Sequence, residues 1–291
     1  MQNRRDFIKK ASMLMAGGVM MPRLLSSCGE AAPAKYIGLQ LYSLRDDIQE
    51  KGIRPILEIV AKMGYTDLET ANYNAGQFYG LAPAEFRKIV EDLGMRLSSS
   101  HLSRTLSDNR DADMAWWQTA LEAHVAAGMK YMIMPMAPLM GEGATLDNVK
   151  RYGDYFSQIG LITLGASVKF GYHNHNFEFT EKIDGVPVYD LLLENTSPDH
   201  VLFENDVYWC QKGGGDPVAY MKKYPNRIKV LHIKDEEAIG ASGYMNFKPI
   251  FDTAYEIGVK DWYVEVERYI GTPEQDVKQS ADFLKAADYV K

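Results

Sequence analysis

Four of the six histidines in this 291-residue chain, His101, His173, His175 and His232, stand at the ends of short strand-like runs. So do Asp206, Glu265 and Glu267. Imidazole nitrogen mixed with carboxylate oxygen is the donor set of a borderline divalent cation, provided the side chains approach one point from different directions. His173, Asp206, His232 and Glu265 lie tens of residues apart, so only a fold that gathers strand ends can bring them together. A cation held by them would polarise a carbonyl and favour removal of the neighbouring proton, which is enediolate chemistry. Each residue alone has a plainer reading: a histidine at a strand end is often a hydrogen-bonded core group, and Asp206 could cap a turn. Four metal-competent residues on four successive strands favour the metal.

The elements that must position them follow from hydrophobic periodicity. From Lys35 onward, short β-rich apolar runs alternate with longer amphipathic stretches, the pattern of βα units around a parallel sheet. Eight strands are predicted, at 36–44, 66–71, 96–101, 131–135, 168–173, 200–206, 228–234 and 262–267. Helices are predicted near 52–63, 82–94, 111–128, 145–166, 187–195, 215–224, 247–258 and 273–290. Four of these helices close on a glycine where a left-handed residue is wanted, at Gly64, Gly94, Gly128 and Gly258. Eight strands of one hand, with no G-x-G-x-x-G after the first, predict a single-domain (β/α)8 TIM barrel over 36–291 rather than a doubly wound sheet. In a barrel the catalytic groups sit where the strands end, which is where the polar residues collect. Of the pair Trp116-Trp117, in a predicted helix, at least one ring is expected to pack on the barrel.

The first residues read as an address. Arg4-Arg5 precedes a short apolar stretch, Ala11 to Met21, that ends in Leu25-Ser26-Ser27-Cys28. This order resembles a twin-arginine leader with a lipoprotein processing box. Residues 1–27 would be removed, 28–35 would be a linker, and Cys28 would carry lipid and anchor the protein to the membrane on the periplasmic side. The mature chain would then hold 27 basic and 38 acidic residues, a formal charge of −11. Such a surface repels nucleic acid, whose binding rests on neutralising phosphates. With Cys28 lipidated, Cys210 has no partner for a disulfide.

Tyr172-His173-Asn174-His175-Asn176-Phe177-Glu178-Phe179, Asn205-Asp206-Val207-Tyr208-Trp209, Leu231-His232-Ile233-Lys234-Asp235 and Val264-Glu265-Val266-Glu267, with the opening Ile37-Gly38-Leu39-Gln40-Leu41-Tyr42-Ser43, resemble the xylose-isomerase-like barrel superfamily. This is the sugar phosphate isomerase/epimerase group that includes inosose dehydratases and ketose 3-epimerases. The resemblance implies metal ligands from strands five to eight, commonly Glu, Asp, His and Glu. Asp206, His232 and Glu265 match that pattern, while His173 stands where the family has glutamate. It also implies a small carbohydrate as substrate and isomerisation or epimerisation, with dehydration or cleavage of a 3-keto-glycoside as the alternative outcome of the same intermediate.

Within that reading Glu265, His173 and Lys234 are the catalytic candidates. Glu69, His101, His175, Glu178, Trp209 and Glu267 are the substrate-binding candidates. Each has a structural alternative: His175 a supporting hydrogen bond, Lys234 a salt bridge to Asp235, Trp209 simple packing. The metal is expected to be Mn, Zn, Co or Fe, since two histidines suit Mg least. A sugar-binding lipoprotein without catalysis is the non-enzymatic alternative. An endonuclease of the abasic-site family fits poorly with so acidic a chain.

Overall fold

A computed structural model describes residues 35–291. The leader, the lipidation site Cys28 and nearly all of the linker lie outside the described residues. Eight parallel strands close into a barrel: β1 (Gly38–Gln40), β2 (Asp67–Thr70), β3 (Arg96–His101), β4 (Tyr131–Met134), β5 (Lys169–His173), β6 (Val201–Asp206), β7 (Ile228–Lys234) and β8 (Asp261–Glu265), with β8 pairing back onto β1. The helices that follow them are α1 (Ile53–Met63), α2 (Pro83–Asp92), α3 (Arg110–Ala127), α4 (Leu146–Ile162), α5 (Val188–Asn195), α6 (Pro217–Lys223), α7 (Phe247–Glu256) and α8 (Pro273–Ala286). The (β/α)8 barrel expected from periodicity is the fold.

Local chemistry explains where these elements stop. In α1 the apolar residues Ile53, Ile56, Leu57, Val60 and Met63 recur at helical spacing and are all buried. The helix ends at Gly64, whose φ of 86° is the left-handed conformation that costs a Cβ-free residue nothing. Gly94, Gly128 and Gly258 also have positive φ. At the other pole, α8 opens on a reciprocal capping box between Thr272 and Gln275, with Pro273 in the first turn.

β1 is shorter than the predicted 36–44. The Gln40 side chain accepts from the backbone N–H of Tyr42, turning the chain into a 3-10 segment (Leu41–Leu44) and then a short helix, Arg45–Lys51, that periodicity did not signal. β8 likewise stops at Glu265, leaving Glu267 in the following loop. Short helices at Phe177–Thr180 and Val207–Lys212, and two-residue hairpins at Tyr73–Phe78 and Lys182–Pro187, add to the rim.

Two layers fill the inside of the barrel. Ile133, Leu202, Val230 and Tyr263, joined by Tyr131, form a small apolar plug separate from the large core between barrel and helices. Gly171 belongs to this plug by having no side chain: a Cβ there would lie 2.5 Å from Leu202 and 2.7 Å from Ile133. Because alternate residues of a strand share a face, the next inward positions after Leu202, Val230 and Tyr263 are Glu204, His232 and Glu265. The barrel therefore changes from apolar to ionisable in one residue step. Two register shifts lie at that boundary: Ser98 on β3 is the extra residue opposite the step from Leu68 to Glu69, and Lys229 on β7 is the extra residue opposite the step from Phe203 to Glu204. A bulge re-aims the side chains beyond it on its own strand, here those leading to His101 and His232, and each bulge lies opposite a buried glutamate.

Outside the strands, Trp117 is fully buried and packs edge-on against Phe170. Its indole N–H donates to the Tyr155 hydroxyl at 2.7 Å, which in turn donates to the Arg104 carbonyl at 2.9 Å. Cys210 is buried with a free thiol. Among the described residues no helix is long and apolar enough to cross a membrane.

Candidate metal centre

The lower polar layer is hydrogen-bonded except at Glu204 Oε1, which is buried without a partner. Glu69, fully buried on β2, takes Gln40 Nε2 and His232 Nε2 on Oε1, each at 2.7 Å, and the Ser99 hydroxyl on Oε2 at 2.5 Å. Glu204 Oε2 faces three imidazoles: His101 Nε2 at 2.7 Å, His173 Nδ1 at 3.2 Å and His232 Nε2 at 3.3 Å. Burial raises the cost of charge on Glu69, but His101 and His232 outweigh it and hold its carboxyl below the ordinary value. Burial and the nearby Glu69 push Glu204 up.

Above this layer the bonding is incomplete. The ring of His232 crosses between the two layers, with Nε2 toward Glu69 and Nδ1 toward Glu265 Oε2 (3.4 Å) and Asp206 Oδ2 (3.9 Å). Neither His232 Nδ1 nor Asp206 Oδ2 has a hydrogen-bond partner, although both are buried. Asp206 Oδ1 is used, accepting the Trp209 N–H at 2.7 Å and so capping the helix after β6. If Nε2 carries the proton that Glu69 accepts, a neutral His232 points the Nδ1 lone pair at two carboxylates. Without a cation, burial opposes charge on His232, but Glu204, Glu69 and Glu265 override it and raise the imidazole well above its ordinary value, so that the proton itself sits between the carboxylates; a divalent cation would take that proton's place. One nitrogen and two oxygens within 4.8 Å of one another, two of them unpartnered, fit a divalent cation.

Lys234 supplies part of that charge from the rim. Its Nζ lies 2.9 Å from Glu265 Oε2, contacts Glu267 as well, and stands 5.1 Å above the Trp209 ring. Burial opposes ionisation of Glu265, but Lys234 and His232 override it and hold the carboxyl well below its usual range. Asp206 goes the other way, pushed up to about 7 by burial. His173 is driven well down, by burial and by the charge on neighbouring His232 and His101. Burial also lowers His175 to about 4. A cavity of about 520 Å³ opens over these groups, lined on the chemical side by His101, His173, His175, Glu265 and Glu267.

The expected residues thus divide. Asp206, His232 and Glu265 meet in the upper trio, whereas His173 groups with His101, Glu204 and His232 below and beside it. His101, His175 and Glu267 reach the cavity wall. Glu69 does not face the cavity as expected of a group that orients hydroxyls: both of its oxygens are engaged beneath the floor. Glu178 is fully buried and spends its oxygens on the Tyr172 hydroxyl and the His175 backbone N–H, so it fixes the loop after β5. The Lys234–Asp235 pair considered from sequence does not form. Asp235 instead ties its own loop through Glu236 N, Gly240 N and Ser242 Oγ. Trp209 lies under the Lys234 ammonium.

Glu204 was not singled out from sequence, yet it is the acceptor shared by three histidines. Its parity with Asp206 on β6 was the available signal. Asn174 and Asn205 were also passed over. Asn205 Nδ2 donates to Asn174 Oδ1 at 2.8 Å, and the same Oδ1 accepts the Asp206 N–H at 3.2 Å, locking β5 to β6 under the trio.

Residues 57–287 match the model of the family described as xylose isomerase-like TIM barrel. The chain belongs to that family. A sugar phosphate isomerase/epimerase from Parabacteroides distasonis superposes with a TM-score of 0.82 at 39% identity, over 90% of this chain and 97% of that one. An inosose dehydratase from Geobacillus kaustophilus is 21% identical over 294 residues, covering 87% of this chain and 92% of that protein. The match to the inosose dehydratase of Clostridium tetani, 29% identical over 139 residues, spans 38% of this chain and about half of that protein, 45%. A xylose isomerase-like barrel with a buried histidine and carboxylate cluster at its C-terminal mouth is a sugar enzyme of this superfamily with a candidate divalent-metal site.

Proposed function

We propose that the chain is a divalent-metal-dependent isomerase or epimerase that works through an enediolate on a keto-sugar or a related carbohydrate. The observation that carries this reading is the pair of unpartnered buried atoms, His232 Nδ1 and Asp206 Oδ2, facing Glu265 at the mouth of the barrel. Asp206, His232 and Glu265 are the proposed ligands; His173, expected from sequence as the fourth, turns its Nδ1 to Glu204 instead and stands outside this trio. Mn, Zn, Co or Fe suits these donors better than Mg. A cation held there would polarise the substrate carbonyl and lower the barrier to removing the adjacent proton.

The remaining steps belong to side chains of the chain itself. Glu265, kept ionised by Lys234 and open to the cavity, accepts the proton from the carbon next to the carbonyl as the C–H electrons move onto the carbonyl oxygen. The Lys234 ammonium steadies the developing negative oxygen. Return of the proton to the neighbouring carbon gives the isomer; return to the same carbon on its other face gives the epimer. His173, neutral at pH 7, is the second proton-transfer candidate. His101, His175 and Glu267 line the wall against which sugar hydroxyls would rest.

A second reading is elimination. If a β-hydroxyl leaves the enediolate before the proton returns, the product is a dehydrated sugar; the similarity to inosose dehydratases supports this outcome. We also propose, from the Arg4-Arg5 leader and Cys28, that the mature protein is exported and lipid-anchored on the periplasmic side. The reaction test is proton exchange: metal-loaded protein with keto-sugars in deuterated water, read by NMR. Deuterium should enter the carbon next to the carbonyl and should fail to enter with His232→Ala; equal uptake in both would overturn the proposal.

A further inference from the structure

The cavity over the metal centre has a neighbour. A second cavity of about 490 Å³ lies beside it on the same face of the barrel, walled by Arg45, Gln49, Tyr79 and Gly80, and the two share Tyr42, Ala71 and Asn72. Each is as large as a pocket that holds a small ligand. The loops after β1 and β2 form the partition, so the second cavity belongs to the same ring of loops that carries the chemistry.

The partition is built for a ring-shaped neutral ligand. Tyr42 is 41% exposed at the junction, yet it is not free to swing. The Arg45 guanidinium sits 4.5 Å from its ring centroid, and that guanidinium is held by the Tyr42 carbonyl at 3.1 Å and the Tyr269 hydroxyl at 2.9 Å. An exposed aromatic face kept in place by a cation is a stacking platform. The side-chain amides of Gln49 and Asn72 are exposed and make no hydrogen bond among the described residues. Neutral amides with both donors and acceptors match hydroxyl groups, and the one cation of the wall is already committed to Tyr42 and Tyr269. A phosphate would find no free charge here, whereas a pyranose finds an apolar face and amides at its edge.

We propose that this second cavity is a subsite for the other ring of a two-ring glycoside, so that the substrate class is a disaccharide or aryl glycoside whose oxidised ring enters the metal centre. The inference rests on the sugar reading of that centre. The subsite makes the enzyme discriminate by the second ring: binding made there is available only to the larger substrate.

The test is saturation-transfer NMR and calorimetry on the full chain with cellobiose, maltose and trehalose against methyl glucoside. In the wild type both rings of at least one disaccharide should receive saturation, with affinity at least tenfold above that of methyl glucoside. Gln49→Trp, which fills a wall belonging only to the second cavity, should remove that advantage while changing methyl glucoside binding less than twofold. Gln49→Ala, which adds no bulk, should weaken only the disaccharide and by a smaller factor. Methyl glucoside bound as tightly as every disaccharide, or a disaccharide advantage untouched by both variants, would overturn the subsite and leave the metal centre standing. Binding through both rings without deuterium exchange on the keto forms would sustain the subsite and overturn the proposed reaction. No binding of any sugar, the keto forms included, would overturn both.

Discussion

His232 Nε2 lies 2.7 Å from Glu69 Oε1, and this one contact decides what the other side of the ring can do. With a cation bound, it would keep the proton on Nε2 and leave Nδ1 as a lone-pair donor between Asp206 and Glu265. The carboxylate would thus act on a cation it does not touch, in the way outer carboxylates orient metal-bound histidines. Glu69→Leu should lower divalent-metal affinity about 10- to 100-fold, read by competition with a chelating dye, with little change in the far-ultraviolet circular dichroism. Unchanged affinity would show that Glu69 does not set the ring.

Lys234 is assigned to the negative oxygen of the enediolate, with its charge also holding Glu265 ionised. Lys234→Met keeps the length of the side chain and deletes the charge. It should cut kcat by about 10²- to 10³-fold, the loss typical of removing one electrostatic stabiliser, while the protein still takes up metal. A loss confined to KM would mean that the ammonium only binds substrate.

Away from the centre, His124 offers a clean pH experiment. It is fully buried in α3, its Nδ1 bonded to the Ala120 carbonyl at 2.6 Å, and burial lowers it to about 4. Unfolded, a histidine titrates near 6.5, so below that pH the unfolded chain binds a proton the folded one refuses. The stability from this group is complete above about 6.5 and is lost as pH falls toward 4, by up to about 3 kcal/mol. Urea unfolding at pH 7 and pH 4.5 should show that loss in the wild type, and the loss should shrink in His124→Leu. An equal loss in both proteins would place the acid sensitivity elsewhere.

The helical shell has its own anchor in Trp117. Trp117→Ala leaves a large void between α3 and β5 and strips the Tyr155 hydroxyl of its donor. It should cost about 3–5 kcal/mol in chemical denaturation, and Trp117→Phe clearly less. Equal effects would mean that the hydrogen bond, not the packing, dominates.

Sequence periodicity carried the barrel because most strands are short and apolar and each is followed by an amphipathic stretch, although β2 (DLET) and β3 (RLSSSH) are largely polar. Where it went astray, a side chain had taken over from the backbone pattern: Gln40 turns β1 into a helix that the apolar run through Leu44 disguises. The metal trio was legible because Asp206, His232 and Glu265 stand at strand ends, where polar residues break an apolar run. Glu204 was not, since it sits one step inside a strand and reads as an interruption of its core. Nor does parity tell a wall from a floor. Glu69 and His101 share the inward face with neighbours across the barrel, but only distances show that one is sealed under the imidazoles and the other reaches the cavity.

The position of a bound cation decides between the two layers. Anomalous diffraction from crystals of the full chain grown with Mn²⁺ or Zn²⁺ locates it directly. One strong peak is predicted at about 2.0–2.2 Å from Asp206, His232 Nδ1 and Glu265. A peak among His101, His173 and Glu204 in the lower layer, or no peak anywhere in the barrel mouth, would contradict the assignment.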